Sequence, residues 1–166
     1  MRIIIASTPL VGHVNPVVAI GRILIAEGHE VIGLSGNAFR KRFEAIGAAF
    51  QPLSASADPD FQNLASFVPE LKSLPATTPR LVRTRIVVGR ILIDTIPPQH
   101  EALQQIMRDM HVDVVICDNA FFGILPMLLS PRVTRPAVML CGTSILQWDR
   151  ADGAPNFVGL LAGKNA

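Results

Sequence analysis

The sequence predicts a doubly wound α/β fold: a Rossmann-like parallel sheet in the strand order 3-2-1-4-5. Three observations carry this. "RIIIAS" at the start is a β-branched run with no in/out alternation, which suits a strand covered on both faces. Strand-like and helix-like stretches then alternate as β-α-β-α-β. The first two helix-like stretches open on Asn and close on Gly.

After the first strand, Asn15 and Pro16 supply a helix start, Asn as N-cap and Pro at the first helical position. Val17, Ile20 and Leu24 recur at helical spacing, and Gly28 makes a good residue beyond the helix end. "HEVIGLSG" is a second strand, "NAFRKRFEAIG" a second helix and "AAFQPL" a third, short strand. Residues 53–78 hold Pro59, Pro69 and Pro75, with Phe61 and Phe67 between them, and read as irregular. A loop this long inside a domain is usually functional or mobile. A helix is expected from Pro79 to just before Pro97-Pro98, and another over about 98–110. "VDVVICD" is the fourth strand, "FFGILPMLLS" a helical connector and "PAVMLCG" the fifth strand. No convincing element appears from Thr143 to Ala166.

The composition narrows the function classes. Of the 166 residues, 49% are apolar and 17% charged, which excludes a disordered chain and leaves enough apolar surface for a core. A net charge of +2 is too small to argue for nucleic acid. No apolar run reaches the roughly 18 residues of a membrane span, and no signal-peptide pattern opens the chain. The expectation is a cytoplasmic protein with peripheral membrane contact left open. Cys117 and Cys141 have neither metal-ligand nor disulfide-framework spacing, so a reducing setting fits.

In an open α/β sheet, ligands bind beyond the carboxyl ends of the strands, where the connection reverses direction. In the order 3-2-1-4-5 that point lies between the first and fourth strands. The loop after the first contains His13, and the fourth ends at Asp118, so topology sets the two side by side. A neutral imidazole is the usual general base near neutral pH, and a carboxylate on one ring nitrogen fixes its tautomer and stabilises the imidazolium that forms. Taken singly, His13 reads as an ordinary loop histidine and Asp118 as a helix N-cap, while His29, His100 and His111 read as solvated. The dinucleotide fingerprint and the phosphate loop are absent.

At "TPLVGHVNPVVAIGRILIAEGHEV" the chain resembles the glycosyltransferases of the GT-B fold, most closely the family 1 enzymes that use UDP- or TDP-sugars. "DVVICDNAFFG" and "RPAVMLCGTSILQWDRADGAPNFVGL" extend the resemblance in the right order over nearly the whole chain. The resemblance implies sugar transfer from a nucleotide donor to a hydroxyl of a small hydrophobic acceptor, with inversion. His13 would be the general base and Asp118 its partner. Gly12, Thr143 and Ser144 would face the donor sugar, and Asn15, Phe61, Phe67, Arg85 and Phe121 the acceptor. No metal and no resident cofactor is implied, since the nucleotide sugar is a co-substrate.

Family members are about twice this length or more, and their second domain holds most of the donor site. Residues 1–166 are therefore expected to be an incomplete N-terminal, acceptor-binding domain, inactive alone and inclined to dimerise through apolar surface left exposed. The alternative is a non-catalytic acceptor-binding or assembly subunit that needs a separate donor-domain partner. A Rossmann-like dehydrogenase or a flavodoxin-like domain fits less well, because no acidic residue ends the second strand ("GLSGN").

On the helix after Thr78, Leu81, Val82, Ile86, Val88, Leu92 and Ile93 share one broad face at about 100° per residue. Arg80, Arg83 and Arg90 lie opposite, and Arg85 falls inside the apolar arc. Arg85 there either snorkels to water or points at an acceptor or partner surface.

Overall fold

A computed structural model describes residues 1–143 of the chain. Five strands form one parallel sheet: β1 (Arg2–Ala6), β2 (Glu30–Ser35), β3 (Ala49–Pro52), β4 (Val114–Asp118) and β5 (Ala137–Cys141). Their order is β3-β2-β1-β4-β5, as the sequence predicts. Successive residues of one strand point to opposite faces, and in the central strands both faces are apolar. Ile4, Ala6, Val115 and Cys117 face one core, packed with Leu103, Ile106, Phe121 and Met127. Ile3, Ile5, Val31 and Ile116 face the other, packed with Val14, Val17, Val18 and Phe43. That double burial is why the first strand shows no alternation. At the amino end of the sheet, Asp113 accepts the Arg2 N–H at 2.7 Å and returns its own N–H to the Arg2 carbonyl at 2.9 Å, pinning β4 to β1.

The crossovers are helical. Helix α1 (Val11–Ala26) and the short α2 (Arg40–Glu44) cover one face, and α6 (Ile96–Asp109) and α7 (Leu125–Leu128) the other. Gly28 and Gly47, just beyond α1 and α2, have φ of 81° and 87°, a region in which a Cβ is strained. Between β3 and α6 lie three further helices: α3 (Leu64–Phe67), α4 (Glu70–Ser73) and α5 (Arg80–Val88).

One helix start is corrected. Helix α1 begins at Val11, not at Pro16. Leu10 is extended, and its carbonyl takes the N–H groups of His13 at 2.9 Å and Val14 at 2.8 Å. Pro16 then sits inside the helix, where it forfeits only the bond to the Gly12 carbonyl one turn from the end. Pro97 and Pro98 stand in the first turn of α6, where no N–H is needed, and the helical segment before them ends at Ile93, as expected. The helix after Pro79 runs as α5 to Val88 and continues as a π-type turn over Gly89–Ile93. Its apolar arc lies open: no residue of α5 is buried, and Leu81 is 80% exposed.

The segment 53–78, expected to be irregular, contains α3 and α4 and ties back to the sheet. Asp58 accepts the N–H of Asn37 at 2.9 Å, doing for the second helical segment what Asn37 is expected to do itself. The element-free tail expected from Thr143 onward lies, apart from Thr143, outside the described residues. Among the described residues no helix is long and apolar enough to cross a membrane.

Cys117 and Cys141 are free thiols that pack against opposite cores. Burial, aided by the Asp118 carboxylate and Cys141, pushes the Cys117 thiol from 9.0 up to about 12. Its folded-state value is raised, so its contribution to stability is complete below pH 9 and is lost as pH rises toward 12. In that window the unfolded chain releases a proton that the native one keeps, with a slope of up to about 1.4 kcal/mol per pH unit. The chain has no tyrosine to titrate in the same range. Urea denaturation from pH 8 to 11 should show this fall, and Cys117→Ala should flatten it. An equally steep fall in the variant would contradict the assignment.

Candidate active site

The pairing of Ala6 with Cys117 puts the end of β1 level with the end of β4. Chain leaving β1 turns at Thr8 and Leu10 into α1, and chain leaving β4 turns at Asn119. Asp118 therefore lies under the first turn of α1. It is fully buried, and a buried carboxylate costs several kcal/mol unless donors replace its water.

Four donors do so. The Thr8 N–H reaches Oδ2 at 2.6 Å; the Ala120 N–H and the Thr8 hydroxyl reach Oδ1 at 2.8 and 3.3 Å. The fourth is His13, whose Nδ1 lies 2.8 Å from Oδ1. Hydrogen bonds to a charged group contribute roughly 1.5–3 kcal/mol each, so together they are of the size needed to offset the burial. A carboxylate only accepts, so the neutral ring of His13 carries its proton on Nδ1 and its lone pair on Nε2. The His13 side chain is 20% exposed, while that of Asp118 is 0% exposed. The arrangement is an imidazole held by one nitrogen on a buried carboxyl group, with no hydrogen bond to Nε2 from any described residue.

Thr143, two residues past β5, joins this pair. Its hydroxyl lies 2.9 Å from His13 Nδ1 and 2.9 Å from Asn119 Oδ1. Gly12 precedes His13 in the first turn of α1, is exposed, and, its own helix turn aside, has no described residue within 4 Å of where a Cβ would stand. The fold itself does not ask for a glycine there. Ser144 lies outside the described residues.

The predicted acceptor residues do not gather around His13 as a set. Asn15 is exposed and its Oδ1 accepts from Arg42 of α2, about 200° around the helix from His13 at 100° per residue. Phe121 is 0% exposed and belongs to the core, which removes it from any surface an acceptor touches and corrects that expectation. Phe61 and Phe67 are half-buried on the segment between β3 and α4. Arg85 is exposed and lines a groove of about 430 Å³ with Glu70, Val82, Ile86 and Arg90. In that groove Arg90 pairs with Glu70 and with Asp94, holding the Glu70 carboxyl below its usual range. His100, read as solvated, is half-buried against the Gly123 carbonyl at 3.1 Å.

A second cleft, of about 590 Å³, opens at the opposite end of the sheet beside His111 and Asp113 and holds none of the predicted site residues. Among the described residues no group of three His, Cys, Asp or Glu side chains is placed to hold a metal ion.

Sequence reasoning missed Thr8 and Asn119. Thr8 had a signal, since a residue two past β1 must face the end of the neighbouring β4. Asn119 had none, because its role depends on how the chain leaves β5.

Comparison with known proteins follows the same lines. No protein-family model matches the chain. It is 33% identical over 166 residues to UDP-glucosyltransferase B1 of Starmerella bombicola, covering 96% of this chain and 38% of that protein. It is 34% identical over 164 residues to UDP-glycosyltransferase 2 of Phaeomoniella chlamydospora, covering 96% and 35%. It is 31% identical over 159 residues to 4'-demethylrebeccamycin synthase of Lentzea aerocolonigenes, covering 96% and 36%.

Among solved structures, the glycotransferase of kitacinnamycin superposes with a TM-score of 0.59 at 17% identity, covering 86% of this chain and 30% of the other. A Streptomyces glycosyltransferase solved with thymidine diphosphate superposes with a TM-score of 0.54 at 22% identity, covering 75% and 35%. Over nearly its whole length the chain is thus similar to curated UDP-glycosyltransferases and shares the Rossmann-like fold of the solved glycosyltransferases, and it spans a little over a third of the curated proteins it matches.

Proposed function

We propose that this chain supplies the acceptor side and the general base of an inverting transfer of a hexose from a UDP- or TDP-sugar to a hydroxyl of a small hydrophobic acceptor. The observation that supports it most is the His13–Asp118 pair, with Nδ1 on a buried carboxylate and Nε2 unengaged by either Asp118 or Thr143. The acceptor hydroxyl gives its proton to Nε2 as its oxygen forms a bond to the anomeric carbon. The bond from that carbon to the diphosphate oxygen breaks, and the nucleoside diphosphate leaves with the electron pair. Attack opposite the leaving group inverts the configuration. Asp118 remains a carboxylate and balances the imidazolium that forms across 2.8 Å.

In this reading Gly12 and Ser144 belong to the donor side, and no described side chain fills the space beside Gly12. Arg85, Phe61 and Phe67 belong to the acceptor side. The relatives are more than twice as long as the stretch they share with this chain. Most of the nucleotide site is accordingly assigned to a donor-side half, and the 166-residue chain alone should bind UDP weakly and transfer no sugar.

The test is transfer from UDP- and TDP-sugars to hydrophobic hydroxyl acceptors by the chain completed with its donor-side half. His13→Ala, folded by circular dichroism, should lower kcat by about 10²- to 10⁴-fold, the range of a general base. A variant that keeps its rate would remove His13 from the mechanism. Acceptor binding without transfer in the completed protein would favour a non-catalytic acceptor-binding subunit. Gly12→Ala separates the donor side from the fold: it should leave the melting temperature equal or higher, since Ala is about 1 kcal/mol the better helix former, and raise KM for the nucleotide sugar. An unchanged KM would place the donor elsewhere.

A further inference from the structure

We infer that Asn119 and Thr143 form a positioning relay that holds the His13 ring in its Nδ1–H tautomer and orientation, alongside Asp118. The inference rests on the reading of His13 as a base and gives Thr143 a task other than contact with the donor sugar.

Counting protons establishes the direction of every bond. The Thr143 backbone N–H lies 3.3 Å from the Asn119 side chain and can only donate, so the amide atom facing it is the oxygen. That oxygen can only accept, and the Thr143 hydroxyl lies 2.9 Å from it. The single hydroxyl proton of Thr143 is therefore spent on Asn119, and Oγ1 faces His13 Nδ1, 2.9 Å away, as an acceptor. Nδ1–H is thus shared between two acceptors from different strands, Asp118 Oδ1 at 2.8 Å and Thr143 Oγ1 at 2.9 Å.

Both acceptors require the same tautomer, and they reach it independently. One acceptor fixes the position of Nδ1 but leaves the ring free to pivot about that bond. A second restrains the ring plane and so aims Nε2. The relay also pins the chain leaving β4 to the chain leaving β5, because the Asn119 N–H donates to the Cys141 carbonyl at 3.1 Å. With its proton committed to Asn119, Thr143 has no hydrogen left to give a sugar hydroxyl.

The experiment reads the ring directly, on the 166-residue chain, by long-range proton–nitrogen NMR of His13 in Thr143→Val, Thr143→Ser and Asn119→Ala. The wild type should show an unprotonated Nε2 and a protonated Nδ1 whose proton exchanges slowly with water. In Thr143→Val the Nδ1 proton should shift and exchange faster. Thr143→Ser should restore the wild-type signature, and Asn119→Ala should fall between. A wild-type proton on Nε2, or a Thr143→Val spectrum identical to wild type, would overturn the relay. In the completed protein Thr143→Val should lower kcat and leave KM for the nucleotide sugar unchanged, whereas a donor-sugar contact would raise KM. Should no sugar transfer exist at all, the NMR result still stands or falls by itself, so failure of the relay and failure of the transferase reading are distinguishable.

Discussion

The buried Asp118 carboxylate is the constraint on which the upper end of this sheet depends. It collects donors from the turn after β1, from its own turn after β4, and from the first turn of α1. Each would be costly to bury unpartnered, and so would the carboxylate. Meeting all of them at once fixes where α1 starts, how deep its first turn sits and which way His13 points. The carboxylate is thus structural and chemical together. The same hydrogen bonds that make its burial tolerable also set the tautomer of the one imidazole beside it.

The strand order follows from sequence because each link is local. Two-sided burial gives runs without alternation, parallel neighbours require helical crossovers, and right-handed crossovers leave few orders to choose among. His13 and Asp118 follow in turn, since the switch point is a property of topology. Other features were not legible. Asn15-Pro16 is a strong local helix start, yet α1 begins five residues before Pro16 on the extended Leu10, with no side-chain cap. A helix entered from a strand can satisfy its first turn through tertiary placement, which no local pattern encodes. Pro97-Pro98 has the reverse lesson: the helical segment before it ends and α6 opens on it, as the local pattern predicts.

Phe121 and α5 mark a second limit. From sequence an aromatic ring near a site is a candidate ligand contact. Here the turn after Asp118 places Phe121 in the core that also holds Leu103 and Ile106. In α5 the pattern gives an apolar arc and leaves open where it faces, because periodicity reports that a helix has a face and not what lies opposite it. Leu81, Val82, Val88 and Ile93 are exposed among the described residues. Arg85, inside that arc, borders a groove rather than a core.

The central claim is that Nε2 of His13 receives the acceptor's proton. A crystal structure of the protein with a hydroxyl-bearing hydrophobic acceptor bound addresses it most directly. The account predicts the acceptor oxygen within hydrogen-bond reach of Nε2, about 2.6–3.2 Å, while Nδ1 stays on Asp118. An acceptor bound with its hydroxyl remote from Nε2, or a His13 ring turned so that Nε2 meets Asp118, would contradict it.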